Sequence, residues 1–361
     1  MTDGIRIAVD IGGTFTDVVL MRERQSTAVK VLTTHADPAE GVMSGLAEVC
    51  SVAGIMPAEV SLLLHGTTLA TNALIERRGA RTALLTTAGH RDVLEMALEN
   101  RFEQYDVNID RPVPLIPRTL RLGIEERRDA HGKVLKPLSW ESVDEALAVL
   151  REQQVESVAI GFLHSYADDE HEKAVAEYLN QHLPDLDISL SSAVCPEIRE
   201  YERLSTTCAN AYVKPLMQRY LTSLEQKLGQ AGFSAPVLLM TSGGGLTTLP
   251  AAREYPIRLV ESGPAGGTIL AAALCSAFAE TAALSFDMGG TTAKLCVIDD
   301  GQPLHSRSFE VDRSYLFKKG SGLPVRIPVI EMVEIGAGGG SLASVDNLGR
   351  VHVGPESAGS E

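Results

Sequence analysis

The sequence contains none of the short motifs that mark the commonest nucleotide, hydrolase and zinc sites. It has no GxxxxGK segment followed by Ser or Thr, no GxSxG, no HExxH and no CxxC. These absences exclude a P-loop, a serine-hydrolase nucleophile elbow and the usual zinc sites. The five cysteines are scattered along the chain, so we expect them to be reduced and buried rather than joined in a disulfide framework.

The chain is also poor in aromatic residues, in positive charge and in long apolar runs. One Trp and an aromatic fraction of 5% predict a mostly aliphatic core. The net charge of −15 argues against a nucleic-acid or anionic-membrane partner. No apolar run approaches the roughly 20 residues of a membrane span, and the N-terminus lacks a secretory pattern. We therefore expect a cytoplasmic protein, and its 361 residues suffice for at least two domains.

What the chain does contain is a glycine turn between two apolar runs that predict strands. The octet is Asp10-Ile-Gly-Gly-Thr-Phe-Thr-Asp17. Glycines let backbone N–H groups approach an anion, threonines add hydroxyl donors, and a carboxylate suits hydrated Mg²⁺. We predict that Asp10 binds the metal and is a candidate catalytic residue. The predicted phosphate contacts are Gly12, Gly13, Thr14 and Thr16. The octet alone fits an ordinary Gly-Gly hairpin equally well.

A second copy of the pattern far downstream favours the phosphate interpretation. Asp287-Met-Gly-Gly-Thr-Thr-Ala-Lys294 again stands between apolar runs, with Asp, Gly, Gly and Thr in register. A duplicated strand–DxGGT–strand unit is typical of two-lobed phosphotransferases, in which each lobe supplies one hairpin to a shared nucleotide. Asp287 is the second catalytic candidate, orienting the metal or the attacking group. The matching phosphate contacts are Gly289, Gly290, Thr291 and Thr292.

Three further segments supply candidate ligand contacts. The strand predicted over 60–64 ends in His65-Gly-Thr-Thr68, and ends of strands are where open α/β sheets bind ligands. His65, Thr67 and Thr68 are therefore candidate substrate contacts, the alternative being a turn histidine bonded to backbone. Arg101 lies in an irregular loop over 98–117 and is a further substrate candidate, unless this loop merely packs on the surface.

The third segment is a glycine-rich helix start, Glu261-Ser-Gly-Pro-Ala-Gly-Gly267. Ser262 is the predicted N-cap and Pro264 suits the first turn. Free N–H groups at a helix start attract anions, so Gly263 and Gly266 join the predicted nucleotide contacts. Tight helix–strand packing explains the same glycines, and the two interpretations are compatible.

Strands alternate with helices along the chain, which predicts an α/β protein with a substantially parallel sheet. Residues 197–231 read as one long helix that bridges two lobes, with a kink expected at Pro215. We predict an N-terminal domain over 1–192, holding the first phosphate hairpin, and a second domain over 193–361, holding the second.

Taken together, the motifs resemble those of the hydantoinase/oxoprolinase family, specifically its A-type, ATP-binding subunit. The resemblance covers essentially the whole chain in order and rests on 10–17, 65–74, 81–95, 262–267, 286–294 and 334–341. It implies an actin-like ATPase fold of two ribonuclease-H-like lobes, with ATP and Mg²⁺ in the cleft. It also implies a B-type partner subunit and an oligomer. Lys294 departs from the Asp of many members, and members continue beyond the point matched by Glu361, so we expect an incomplete second lobe.

Three functions stay open at this stage. The first is ATP-dependent hydrolysis of a cyclic amide of the hydantoin or 5-oxoproline type, through phosphorylation of the ring carbonyl oxygen. The second is a subunit of an ATP-dependent ketone carboxylase of the acetone or acetophenone type. The third is a non-catalytic nucleotide-binding fragment. The nucleotide motifs do not separate the first two, because they recognise ATP rather than the substrate.

Overall fold

The computed structural model describes residues 4–23, 25–34, 36–290, 292–313 and 318–358. Its first sheet has the order β12-β11-β4-β1-β2-β3, in which β1, β4 and β11 run parallel and the other neighbours antiparallel. The strands are β1 Ile5–Ile11, β2 Phe15–Arg22, β3 Gln25–Leu32, β4 Val60–Thr67, β11 Val237–Met240 and β12 Leu246–Thr248.

Strand β1 shows which side chains lie on each face of this sheet. Ile5, Ile7, Val9 and Ile11 are buried on one face, and the residues between them point to the other face. Side chains alternate along a strand, so the apolar period of two leaves Asp10 on the face opposite the main core. This alternation places the Asp10 carboxylate where a ligand can reach it.

A second, fully parallel sheet has the order β10-β9-β5-β6. Its two central strands are buried along their entire length, as expected for a sheet covered on both faces. The strands are β5 Thr82–Thr87, β6 Arg121–Ile124, β9 Ser157–Gly161 and β10 Asp187–Leu190, and the short pair beside them is β7 Arg127–Arg128 and β8 Val134–Lys136.

A third sheet carries the second glycine hairpin. Its strands are β13 Ala282–Met288, β14 Ala293–Asp299, β15 Gln302–Pro303 and β20 Val333–Ile335, all antiparallel. Three two-stranded ribbons complete the described strands: β16 His305–Ser306 with β19 Val329–Ile330, β17 Phe309–Val311 with β18 Leu323–Val325, and β21 Ser341–Val345 with β22 Val351–Ser357.

The helices pack between and around these sheets. They are α1 Pro38–Ala53, α2 Leu69–Ile75, α3 Val93–Met96, α4 Trp140–Glu152, α5 Glu170–His182, α6 Ser191–Val194, α7 Glu200–Gln230, α8 Leu249–Glu254 and α9 Ser262–Ala277. Helix α7 confirms the predicted long helix and continues through Pro215. It contributes to the two large hydrophobic cores, which belong to the first and second sheets, and its bridging of the two predicted domains stays a prediction. Within the described ranges, no helix combines the length and hydropathy needed to cross a membrane.

Several local predictions are confirmed. Asp37 caps α1 by accepting a hydrogen bond from Ala39 N, with Pro38 in the first turn. The loop over 98–117 holds neither helix nor strand. The five cysteines are buried and unpaired.

Other boundaries differ from the predictions. The spacing Ser142-x-x-Glu145 predicts a capping box, but helix α4 begins at Trp140 with Ser139 as its cap. Gly79 is the expected end of the helix that starts at Leu69, but α2 ends at Ile75. Gly79 instead allows close packing, since a Cβ there would lie 2.2 Å from the Tyr212 ring. Hydrogen bonding also crosses the predicted domain boundary, because β11 and β12 join the first sheet.

Candidate nucleotide-binding site

The two DxGGT segments fold into equivalent hairpins. Strands β1 and β2 pair Asp10 with Asp17, and β13 and β14 pair Asp287 with Lys294. In the first turn Gly12 N donates to Phe15 O at 2.9 Å, and in the second Gly289 N donates to Thr292 O at 2.9 Å. The same bond at the same position closes both turns, so the sequence repeat is also a structural repeat.

The two glycines of each turn have different roles. The first glycine of each pair, Gly12 or Gly289, uses its N–H to close the turn. The second glycines, Gly13 and Gly290, are exposed, and a Cβ there would meet nothing within 4 Å. Their N–H groups have no acceptor within the described part of the chain. Gly13 and Gly290, with the exposed Thr14, are therefore the donors available to a phosphate.

Asp10 occupies a niche formed by two glycines from other elements. Gly66 of β4 is the register partner of Asp10, and a Cβ on Gly66 would lie 2.7 Å from Asp10 Oδ1. A Cβ on Gly263, in the first turn of α9, would lie 3.7 Å from both Asp10 oxygens. The two glycines leave room for the carboxylate at a helix N-terminus that has no side-chain cap. Gly263 therefore lies beside the Asp10 carboxylate, and its contact with a nucleotide stays a prediction.

The electrostatics around Asp10 favour a bound cation. Desolvation raises the pKa of Asp10 above its ordinary value, the charges of Asp17 and Asp287 raise it further, and Lys30 lowers it. Asp287 of the second hairpin is therefore close enough for its charge to act on Asp10. The side chain still has solvent access and accepts no hydrogen bond from a described residue.

Mg²⁺ fits this donor set. A divalent cation relieves the repulsion among neighbouring carboxylates. Within the described ranges no three His, Cys, Asp or Glu side chains enclose a metal by themselves. Asp10 would therefore share Mg²⁺ with waters and phosphate oxygens, which is the ion's ordinary coordination.

Thr16 has a structural position. Its side chain is fully buried, and its Oγ1 lies 3.1 Å from Thr33 Oγ1 on the α1 side of the sheet. Thr33 in turn donates its hydroxyl to Gly12 O at 3.0 Å and its N–H to Thr14 O at 3.0 Å. The hydroxyl of Thr16 therefore stabilises the first turn through Thr33, contrary to the expectation that Thr16 contacts a phosphate.

A glycine-rich loop supports the second turn. Gly339 N donates to Gly289 O at 2.9 Å, and Gly340 N donates to Gly290 O at 2.8 Å. The sequence includes 334–341 among the segments that carry the family resemblance, but it does not predict this contact. Thr292 contributes its carbonyl oxygen to the turn, and its side chain is partly buried. The predicted phosphate contact Thr291 lies outside the described residues.

Lys294 connects the second hairpin to the start of α9. Its Nζ binds the Glu261 carboxylate and lies 4.0 Å from Glu334 Oε1. Glu261 itself adopts a left-handed conformation with φ 63°. The last residue of the second DxGGT segment therefore forms a partly buried ion pair beside the start of α9.

The start of α9 is also tied to the first sheet. Ser262 donates its hydroxyl to Thr67 O at 3.2 Å instead of capping the helix, and Glu261 N donates to Thr71 Oγ1 at 3.1 Å. Gly266 faces Met240, whose Cε would lie 3.7 Å from an added Cβ. Gly263 therefore lies at the site, whereas Gly266 serves the packing of α9 on β11.

The motif at 65–68 contributes its glycine rather than its polar side chains. His65 lies within β4 on the core face, and its Nε2 is 2.7 Å from the Tyr220 hydroxyl. Thr67 Oγ1 accepts a hydrogen bond from Leu69 N, and Thr68 Oγ1 donates to Ile11 O. The expectation that His65 and Thr67 contact substrate is thus corrected, because β4 continues to Thr67 and buries both side chains on the core face. Thr68 follows the strand, is partly buried, and uses its hydroxyl to bind the end of β1.

Arg101 does not join the cleft residues in any described contact. Its guanidinium donates to the backbone oxygen of Asp106 within the same exposed loop. This geometry corresponds to the surface-loop alternative.

Sequence reasoning missed three contributors to the site: Gly66, Thr33 and the backbone of 339–340. The sequence offered a signal for Gly66, because a glycine at the end of a strand lets another group approach the backbone closely. Thr33 and the glycine loop act through hydrogen bonds across long sequence separations, which no local pattern records.

The two equivalent strand–DxGGT–strand hairpins, the first on a six-stranded sheet of mixed direction, define an actin-like ATPase fold. The sequence family described as Hydantoinase/oxoprolinase N-terminal region matches residues 6–183, and the one described as Hydantoinase/oxoprolinase matches residues 203–361. The chain belongs to the hydantoinase/oxoprolinase family.

The names of its relatives specify different substrates. The chain is 34% identical to the caprolactamase subunit alpha of Pseudomonas jessenii, over 98% of this chain and 51% of the relative. It is 31% identical to 5-oxoprolinase of Saccharomyces cerevisiae, over 99% of this chain and 30% of that relative. It is 30% identical to the acetophenone carboxylase gamma subunit of Aromatoleum aromaticum, over 98% of this chain and 50% of that relative.

The solved structure of the ATP-dependent caprolactamase from Pseudomonas jessenii matches with a TM-score of 0.85 at 33% identity, over 98% of this chain and 51% of that one. The chain therefore spans about half the length, or less, of the relatives that it matches.

Proposed function

We propose that this chain binds Mg-ATP between its two hairpins and phosphorylates the ring carbonyl oxygen of a cyclic amide, which prepares the ring for hydrolysis. The observation that carries the proposal is the pair of equivalent turns, each closed by the same bond, with Asp10 and Asp287 close enough to interact. Phosphoryl transfer depends mainly on positioning and charge neutralisation, which this arrangement supplies.

The residues take the following roles. The N–H groups of Gly13, Thr14 and Gly290 bind phosphate oxygens, and Thr292 holds the second turn in shape. Asp10 holds Mg²⁺ through water, and the ion supplies charge neutralisation to the phosphates. Asp287 orients the metal or the attacking amide, whose ring N–H can donate to the Asp287 carboxylate. The ring carbonyl oxygen forms a bond to the γ-phosphorus as the bond to ADP breaks. Water then adds to the activated ring carbon, the ring C–N bond breaks as the nitrogen takes up a proton, and an acyl phosphate remains. A second water hydrolyses the acyl phosphate to a carboxylate and free phosphate.

Support for a cyclic amide comes from two relatives, caprolactamase and 5-oxoprolinase, whose names specify that class. The second candidate is ATP-dependent activation of a ketone for carboxylation, favoured by the 30% identity to an acetophenone carboxylase subunit. Both candidates include a B-type partner subunit, an oligomeric assembly and a cytoplasmic location. Phosphate release from Mg-ATP, measured with 5-oxoproline, hydantoin, or acetophenone plus bicarbonate and with a B-type subunit present, separates the two.

The nucleotide site is tested by calorimetric titration of Mg-ATP into this chain and its Gly66→Ala variant. The added Cβ would lie 2.7 Å from Asp10 Oδ1 and displace the carboxylate. We expect at least tenfold weaker binding, about 1.4 kcal/mol. Gly229→Ala is the matched control, because a Cβ there meets nothing within 4 Å, and it should leave the affinity unchanged.

Equal affinity of the Gly66→Ala variant and the unmodified chain would show that Asp10 does not participate in nucleotide binding. Absence of Mg-ATP binding by the unmodified chain would contradict the nucleotide site and favour a folded but inactive fragment.

A further inference from the structure

A separate cavity of about 530 Å³ lies at the carboxyl edge of the second sheet. Its walls include His90, Arg127 and His164, which follow β5, β6 and β9, and the first turn of α7. The carboxyl ends of parallel strands are the usual ligand-binding edge of an α/β sheet. None of the nucleotide-site residues lines this cavity.

Helix α7 sets the distance between the cavity and the nucleotide site. Glu202 lines the cavity, whereas Tyr220 on the same helix contacts His65, the register partner of Val9 beside Asp10. Eighteen residues of α-helix correspond to roughly 27 Å. The cavity is therefore a second site rather than an extension of the cleft.

Two opposite charges line this cavity without neutralising each other. Arg127 Nη1 donates to His90 Nε2 at 3.1 Å and has no carboxylate partner within the described ranges. Glu200 has neither a hydrogen bond nor an ion pair there, although its charge acts on His90. Burial and the charge of Arg127 lower the pKa of His90, which agrees with its role as a neutral acceptor. A half-buried cation and a half-buried anion on one cavity wall call for a ligand that carries both charges.

The backbone around the cavity is strained in three places. Ala97, His164 and Arg199 all line it, and their φ angles are 53°, 60° and 78°. Non-glycine residues in this region are uncommon and cluster at binding sites. Arg199 is also the N-cap of α7 and provides no side-chain cap for the first-turn N–H groups.

We propose that this cavity binds a small zwitterion of the amino-acid class, with its carboxylate on Arg127 and its ammonium group on Glu200. The source of the ligand rests on the proposed function, since hydrolysis of a cyclic amide opens the ring to an amino acid. The site thus takes the class of compound that the reaction releases, at a distance from the nucleotide.

Calorimetry without nucleotide tests the proposal with three ligands of matched length: 6-aminohexanoate, hexanoate and hexylamine. We expect 6-aminohexanoate to bind at least tenfold more tightly than either singly charged analogue. Arg127→Gln and Glu200→Gln should each weaken its binding about tenfold. Arg91→Gln and Glu141→Gln remove exposed charges that do not line the cavity, so they should leave the affinity unchanged.

Equal binding of all three ligands, no binding of any, or full affinity in both cavity variants would overturn the proposal. Asp10→Asn separates it from the nucleotide proposal. If 6-aminohexanoate binds this variant as tightly as the unmodified chain, the zwitterion site is independent of the cleft. If Asp10→Asn abolishes the binding, the ligand occupies the cleft and the second site is rejected.

Discussion

At the scale of single residues, the imidazole of His65 lies in the core between β4 and α7. Burial lowers the pKa of His65 to about 4, and the Tyr220 hydroxyl lies 2.7 Å from Nε2. The neutral ring accepts the hydrogen bond that the tyrosine donates. A protonated ring would lose this acceptor inside an apolar environment, so His65 makes the folded chain sensitive to acid.

This sensitivity gives a prediction for the pH dependence of stability. Below its ordinary pKa of 6.5, His65 of the unfolded chain binds a proton that the folded chain takes up only near pH 4. The contribution of neutral His65 is complete above pH 6.5 and is lost as the pH falls toward 4. We expect His65→Gln to reduce the loss of unfolding free energy over this window by roughly 2–3 kcal/mol.

Urea unfolding of both proteins at pH 7 and pH 4.5 measures the difference. Other titrating groups are common to the two proteins and cancel in the comparison. Equal acid-dependent losses in the two proteins would contradict the assignment of a neutral, buried His65.

At the scale of elements, the second hairpin is fixed by a charge pair rather than by its own strands alone. Lys294 and Glu261 are 16% and 21% exposed, and they join β14 to the first residue before α9. Desolvation raises the pKa of Glu334, and Lys294 lowers it. Lys294 is therefore the cation that stabilises two carboxylates at the edge of the cleft.

Lys294→Met should lower the free energy of unfolding by roughly 1–3 kcal/mol, because it leaves Glu261 without its charged partner. In a double-mutant cycle with Glu261→Gln, we expect a coupling energy of at least about 1 kcal/mol. The exposed pair Lys173 and Asp169 is the control, and its coupling should stay below about 0.5 kcal/mol. Additive effects in the Lys294 cycle would show that the pair does not hold the hairpin.

At the scale of the whole molecule, α7 makes the two large sheets one folding unit. Leu221 and Leu224 belong to the core of the first sheet, and Leu204 and Cys208 of the same helix belong to the core of the second. A helix cannot lose its packing on one core and keep full packing on the other without breaking its own hydrogen bonds. We therefore expect the two sheets to unfold together.

Leu224→Ala tests this coupling. The side chain is 1% exposed in the first core, so its truncation should lower stability by roughly 2–5 kcal/mol. The single tryptophan, Trp140, lies on α4 beside the second sheet, and its fluorescence reports on that region. Urea midpoints from Trp140 fluorescence and from far-UV circular dichroism should fall together.

An unchanged fluorescence midpoint in the Leu224→Ala variant would show that the second sheet unfolds independently. Leu32→Ala is the matched control, because this leucine is 70% exposed, and it should change stability by less than about 0.5 kcal/mol.

Much of the fold could be predicted because its signals are local. The alternation of apolar residues in 5–9 defines a strand and leaves Asp10 on the opposite face, and the DxGGT repeat defines two turns. Asp37 followed by Pro38 begins a helix whatever lies around it. These features depend on period, sterics and capping within a few residues.

The sequence by itself therefore determined the two hairpins, the α/β class and the bridging helix. Only the tertiary structure decided that Gly66 makes room for Asp10, that Thr33 supports the first turn and that Lys294 meets Glu261. It also turned His65 into the core and gathered Arg127 and Glu200 around a second cavity. The physical reason is that each of these contacts joins residues brought together by strand register and helix packing, and a local pattern shows which face a side chain occupies but not what it meets there.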